Sequence, residues 1–137
     1  MCVPTVFQMI FNLCIIVLSE RVIKMSKLKL EYSCALLLSM DLIGGKWKLR
    51  ILWHIMDGEN RYSLLQKGIP EISEKMLTTQ LRELEDSGLI IRTVICVKPL
   101  NVQYALSEEY PELKVIVGGI CDFAKSYGER NRIHIAE

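Results

Sequence analysis

Ser73-Glu-Lys-Met-Leu-Thr-Thr-Gln-Leu-Arg-Glu-Leu-Glu-Asp-Ser-Gly-Leu89 is the stretch that decides the fold. Leu77, Leu81 and Leu84 recur at i, i+4 and i+7, so the spacing predicts a helix with one apolar stripe to bury. Ser73 is placed to cap its N-terminus by accepting a backbone N–H, and Gly88 to adopt the left-handed conformation that ends a helix. The opposite face carries Lys75, Thr78, Thr79 and Arg82, donors and small polar groups suited to a partner. A solvated surface helix has the same pattern, so the flanking elements must decide between the two.

Upstream, Arg61-Tyr62-Ser63 opens a short helical run, Ser63 to Ile69, that Pro70 prevents from extending. The Ser73 helix begins three residues later. Two short helices joined by a tight turn, the second longer and polar on its free face, form the pattern of a helix-turn-helix, whose second helix enters the major groove of double-stranded DNA. Downstream, β-branched runs at Leu89–Val97 and Val102–Leu106 flank Lys98-Pro99-Leu100-Asn101. This predicts a two-stranded hairpin. Beside a helix-turn-helix such a hairpin reads as a wing, which lies along the DNA backbone or in the minor groove; a plain edge hairpin is the alternative.

Further out, Cys34–Ile43 reads as a helix with Leu38 and Leu42 at i+4, broken by Gly44-Gly45. A second helix places Trp47, Ile51 and Ile55 on one face, joined by Leu52, and stops at Asp57-Gly58. Gly44-Gly45-Lys46 lacks both the earlier Gly and the Ser or Thr after Lys of a phosphate-binding loop, so it reads as a helix junction with a core Trp. From Pro111 to about Tyr127, Leu113, Ile116, Ile120, Phe123 and Tyr127 alternate at spacings of three and four, an a/d seam. The helix near 111–128 is therefore expected to pair with its copy in a homodimer. Gly118 and Gly119 each disfavour a helix interior by about 1 kcal/mol relative to Ala, which a close backbone approach would justify. Two copies would present their recognition helices to major-groove turns about 34 Å apart. The expected class is mainly α with a small β-hairpin: a winged helix-turn-helix with a C-terminal dimerisation helix.

Composition sets the bounds. The chain has 137 residues, half of them hydrophobic, which suits one domain with a real core. A net charge of +1 means that any affinity for DNA must come from local placement of cations. Residues 46–104 carry nine Lys or Arg against seven Asp or Glu, and 105–137 carry four against six, so the basic excess lies in the middle. Five cysteines without a CxxC pair or a Cys/His cluster support no metal site, and their odd number argues against a secreted disulfide scaffold, so a cytoplasmic protein is expected. His54 and His134 have no evident carboxylate or thiol partner in the sequence; His54 reads as a core-edge residue, and neither an enzymatic activity nor a cofactor is expected. Val3–Leu18 is nearly all apolar but interrupted by Pro4, Thr5, Gln8 and Asn12, short of the roughly 20 apolar residues that cross a bilayer. It also lacks the charge of a secretory signal, so no membrane association is expected. Residues 1–24 are then either an extra helix packed on the domain or its dimer partner, or a stretch ahead of a true start at Met25, with the domain covering 25–137.

Cys34, Leu42-Ile43-Gly44-Gly45-Lys46-Trp47, Ile51-Leu52, Arg61-Tyr62-Ser63, Ile69-Pro70, Ile72 to Thr78, Leu81 to Glu85, Gly88-Leu89 and Tyr104 together resemble the HxlR-type winged helix-turn-helix regulators over roughly residues 34–128. The resemblance implies a MarR-like fold and a homodimeric transcription factor that binds operator DNA without an enzymatic step, its effector varying within the family. Two departures stand out. Where the family usually carries Pro-Pro-Arg before Val-Glu-Tyr, this chain has Pro99-Leu100-Asn101 before Val102-Gln103-Tyr104, so a wing arginine is missing and Lys98 is left to supply the phosphate contact. Ala35 stands where Pro commonly follows the cysteine.

Helix geometry and the resemblance together assign DNA contact to Ser73, Lys75, Thr78, Thr79 and Arg82. Arg82 reads guanine or grips phosphate, Lys75 binds phosphate with Arg61 and Ser63, and the two threonines touch thymine methyls or base edges. Lys98 and Asn101 join them from the wing, while Glu83 and Glu85 are expected to be solvated. In a subset of the family a cysteine at the place of Cys34 senses oxidants or electrophiles, and Cys121 across a dimer, then Cys96, would be its partner. On chemistry alone Cys34 reads equally as a small buried hydrophobe. The near-neutral charge keeps one rival reading open, a winged helix that docks a protein and binds no DNA.

Overall fold

The computed structural model describes residues 28–136. The extension at residues 1–24 lies outside the described residues. Contacts divide the chain into two compact units, Met1–Leu42 and Ile43–Glu137, described separately below.

In the first unit, Cys34 immediately precedes helix α1 (Ala35–Ile43) and its carbonyl accepts from the Leu37 N–H at 3.1 Å. The Tyr32 hydroxyl donates to Asp41 Oδ2 at 2.8 Å and accepts from the Lys29 N–H at 3.0 Å, clasping the lead-in to the helix. Leu38 and Leu42, the i+4 pair, are half-buried, whereas Leu36, Leu37 and Met40 are exposed.

The second unit runs α2 (Lys48–Met56), α3 (Tyr62–Gly68), α4 (Glu74–Asp86), β1 (Ile90–Val97), β2 (Leu100–Leu106) and α5 (Glu112–Asn131). Its core is built where the apolar stripes of the helices converge: Ile51 and Leu52 of α2, Leu65 of α3, and Leu77 and Leu84 of α4 have no exposed surface. Trp47 is not part of that core. It is half-buried, with the Lys46 ammonium 4.5 Å and the Arg50 guanidinium 5.9 Å from its ring, so the amphipathic ring lies at the edge under cations while Ile51, Leu52 and Ile55 fill the interior.

Helix ends follow the expected chemistry. At the end of α4, Gly88 has φ +74°, its N–H donates to the Glu85 carbonyl at 2.9 Å, and the Leu89 N–H donates to the Leu84 carbonyl at 3.0 Å. Both bonds satisfy carbonyls that the helix leaves orphaned, and Leu84 and Leu89 are buried beside them. Gly58 ends α2 in the same way, at φ +97°.

The hairpin is antiparallel, with register from Ile90↔Leu106 to Val97↔Leu100 and an irregularity between Val94 and Cys96 that leaves Ile95 unpaired. Pairing persists to the very end of β1, so the turn is only Lys98-Pro99, and Asn101 sits in β2 opposite Cys96 rather than in a loop. The base of the hairpin is pinned to the helices. The Tyr104 N–H donates to the Asn60 carbonyl at 2.7 Å, Arg61 bridges to Gln103, and the Ser107 N–H donates to the Leu89 carbonyl at 2.9 Å.

Along α5 the expected seam divides. Leu113 is 5% exposed and belongs with Val117 to the chain's own core, whereas Ile116, Ile120, Phe123 and Tyr127 remain exposed. The cause is helical geometry: Leu113 and Val117, four apart, turn inward, and the other four sit on the adjoining stripe. A Cβ added at Gly118 or Gly119 would meet nothing within 4 Å, so no close approach among the described residues accounts for them.

Candidate nucleic-acid interface

The position of α4 is set by its neighbours. Ser73 Oγ accepts from the Met76 N–H at 3.2 Å, the side-chain cap its sequence position predicts. The Tyr62 hydroxyl donates to the Glu74 carbonyl at 3.1 Å and lies 3.2 Å from Thr78 Oγ1, tying α3 to the first two turns of α4. Gln66 Nε2 donates to Glu74 Oε1 at 3.2 Å. On the far side, Lys48 Nζ lies 3.3 Å from Glu83 Oε2, with both side chains largely covered. Glu83 is therefore not solvated: it is paired across to α2, because its place on the helix turns it toward the core side. Glu85 is exposed, as expected.

With Leu77, Leu81 and Leu84 buried, Lys75, Thr79 and Arg82 form one exposed stripe at i, i+4 and i+7. The Thr79 hydroxyl donates to the Lys75 carbonyl at 2.8 Å, and the residue stays exposed. Thr78 is rotated away from that stripe, half-buried against Tyr62. Arg61 and Ser63 are exposed at the start of α3, where the bridge to Gln103 brings α3 beside the hairpin. Lys98 is exposed at the turn, and Asn101 is half-buried. The hairpin tip is apolar apart from Lys98, with Val97 and Leu100 exposed.

Three features escaped sequence reading. Tyr62 clamps the helix pair, and a tyrosine two residues before a short apolar pair carries no signal of that. Arg92 lines a cleft of about 370 Å³ beside α4 together with Arg82; the period of two along β1 from buried Ile90 was the available clue. His54 does have a carboxylate partner: its Nδ1 lies 2.7 Å from Glu59 Oε2, under Gly68. The reading of Cys34 as a buried hydrophobe is overturned, since Cys34 is exposed; Cys96 is also exposed, Cys121 is half-buried, and all three are free thiols.

The profile of the family described as HxlR-like helix-turn-helix matches residues 42–132, a span that covers α2 to α5. The chain belongs to that family. A relative from Methanothermobacter thermautotrophicus, described as an uncharacterized HTH-type transcriptional regulator, is 42% identical over 98 residues, 72% of this chain and 75% of that protein. Among solved structures, the redox regulator HypR in its oxidized form is 38% identical with a TM-score of 0.64, over 68% of this chain and 96% of that one. A putative transcriptional regulator of the MarR family from Porphyromonas gingivalis W83 is 31% identical with a TM-score of 0.60, over 72% and 96%.

The HxlR-like chain is thus a winged helix-turn-helix, with α3 and α4 as the helix pair and β1–β2 as the wing. Its relatives are transcriptional regulators rather than enzymes, and it is a DNA-binding regulator of that kind. Membership of a helix-turn-helix regulator family favours DNA binding over the protein-docking alternative, and a net charge of +1 is compatible with it, since local cations such as Lys75 and Arg82 on α4 can make the contacts. Among the described residues no helix is long and apolar enough to cross a membrane.

Proposed function

We propose that this HxlR-like regulator acts as a homodimer on an inverted-repeat operator and that oxidants or electrophiles alter its affinity through Cys34. The observation that carries the reading is the α4 stripe: Lys75, Thr79 and Arg82 exposed along a helix that Ser73 caps and three buried leucines hold. In this arrangement α4 occupies the major groove. Lys75, Arg61, Ser63 and Lys98 contact the backbone, Ser73 and Thr79 lie at the groove floor or rim, Thr78 supports them through Tyr62, and Asn101 contributes from the wing.

The second copy lies along α5. Ile116, Ile120, Phe123 and Tyr127 present an apolar stripe that the described residues leave uncovered, and the open space over Gly118 and Gly119 admits a neighbouring backbone. Support for redox control comes from the exposure of Cys34 and from the similarity to HypR, named a redox regulator. Oxidation joins Cys34 Sγ to Cys121 Sγ of a second copy, the two thiols giving up two protons and two electrons to the oxidant; an electrophile instead adds to the Cys34 thiolate.

Selection of bound fragments from genomic DNA, repeated with and without a thiol oxidant, tests the reading. Recovery of one inverted repeat, its loss on oxidation and its return with reductant are expected in the wild type, with Cys34→Ser insensitive to oxidant. Binding that yields no repeat removes the dimeric operator, and an oxidant response that survives Cys34→Ser removes the sensor.

A further inference from the structure

Strand alternation aims Arg92 at the recognition helix. Ile90 is buried and Ile91 half-exposed, so Arg92 shares the face of Ile90, and its cross-strand partner is Tyr104, itself buried. The side chain therefore leaves β1 just past the edge of the core, on the α4 side, and lines the cleft of about 370 Å³ with Arg82, Thr78, Tyr62 and Glu85. Two other cations of this unit are committed to carboxylates: Arg50 to Glu71 at 3.1 Å, Lys48 to Glu83 at 3.3 Å. The Arg82 and Arg92 side chains make no hydrogen bond or ion pair among the described residues. Two guanidinium groups thus share one cleft with a single carboxylate, Glu85, leaving one positive charge in excess, enough for one phosphodiester.

The geometry of a duplex says what fills the cleft. A winged helix that puts α4 in the major groove and β1–β2 at the adjacent minor groove must straddle the sugar–phosphate strand that separates the two grooves. The seam between α4 and β1 is where that strand passes, and the cleft is in the seam. Arg82 stands in the third turn of α4, whereas base edges are met by residues near the start of a recognition helix.

We propose that Arg82 and Arg92 form a joint site for one backbone phosphate at the junction of recognition helix and wing, so that Arg82 grips phosphate rather than reading guanine and Arg92 supplies the contact that the arginine-free wing tip lacks. The inference rests on α4 being the groove-entering helix. Planar guanidinium groups suit phosphate oxygens, and Tyr62 and Tyr104 give the cleft a firm floor. Glu85 opposes the phosphate and weakens the site.

The test is a salt titration of the purified full chain against two probes, the operator duplex recovered by selection and a mixed-sequence duplex, for the wild type, Arg92→Ala, Arg82→Ala and Glu85→Gln. Both arginine variants are expected to weaken the two duplexes by the same factor, several-fold or more, and to lower the slope of log K against log salt by about one. Glu85→Gln is expected to tighten both. Thermal melting and helical circular dichroism verify that each variant is folded. An Arg92→Ala protein with unchanged affinity and slope overturns the site, and so does a loss in Arg82→Ala confined to the operator duplex, which marks base reading. A wild type that ignores both duplexes at low salt sinks the groove-entering assignment itself, a result distinct from an inert Arg92 in a protein that binds.

Discussion

At the scale of single residues, Gly68 shows how a neighbour can reverse an intrinsic preference. Alanine is favoured over glycine within a helix by up to about 1 kcal/mol, so Gly68→Ala at the end of α3 should stabilise the protein. A Cβ there would run into Glu59 Oε2 and come within 2.9 Å of His54 Nδ1, whose mutual bond is 2.7 Å long. Both are side-chain ends and can move, but only by giving up that bond, which contributes about 0.5 to 1.5 kcal/mol net. The gain and the loss are of one size. Gly68→Ala is therefore expected to be neutral or destabilising in the wild type and stabilising in a Glu59→Ala background, a coupling of about 1 kcal/mol in a double-mutant cycle read by urea unfolding. Equal effects in both backgrounds would remove the close approach as the reason for the glycine.

At the scale of elements, α4 and α5 are both amphipathic, and the difference between them lies in what each leaves outside. The outer stripe of α4 is Lys75, Thr79 and Arg82, which needs no cover in water; that of α5 is Ile116, Ile120, Phe123 and Tyr127, which does. Leu113 and Val117 anchor α5 from within the chain, so a charge on the outer stripe should spare the fold. With the proposed dimer, the wild type is expected to run as two subunits by light scattering and Phe123→Lys as one, with its helical circular dichroism kept. An unchanged mass would move the second copy to another face. A tilted ring contact within the stripe, with Phe123 and Tyr127 centroids 6.2 Å apart, pre-arranges the aromatic pair for such a contact.

At the scale of the whole molecule, the unfolding equilibrium feels the turn between α3 and α4 through one carboxylate. The Glu71 carboxyl is held below the usual range chiefly by its own backbone N–H and next by the Arg50 guanidinium, whose Nη2 lies 3.1 Å from Glu71 Oε2. A lowered folded value means that the unfolded chain takes up the proton first, so the contribution is present above the ordinary carboxylate range and fades as pH falls through the lowered value. The pair is exposed and screened, so the effect is small. The stability difference between wild type and Glu71→Gln should shrink as urea-unfolding midpoints are followed from neutral to acid pH; a difference independent of pH would assign no role to the charge. On the same scale, the proposed dimer would make the spacing of half-sites a consequence of α5 packing, with centres expected about 34 Å apart or a multiple of that.

Local patterns were enough for the elements of the fold. The Leu77, Leu81, Leu84 period, the Ser73 cap, the Gly88 stop and the β-branched runs around Lys98-Pro99 each act over a few residues, and the backbone obeys them. They were enough, too, for Lys75, Thr79 and Arg82 on the exposed stripe of α4, because burying one face of a helix leaves the other by subtraction, but not for Thr78, which the pattern puts on that face and which is half-buried. What tertiary structure alone decided are the pairings between elements. Glu83 meets Lys48, His54 meets Glu59 under Gly68, Thr78 turns to Tyr62, Leu113 leaves the seam for the core, and Arg92 arrives beside Arg82. No period along the chain encodes those meetings, since they depend on how helices and hairpin pack across distances that sequence separation does not measure.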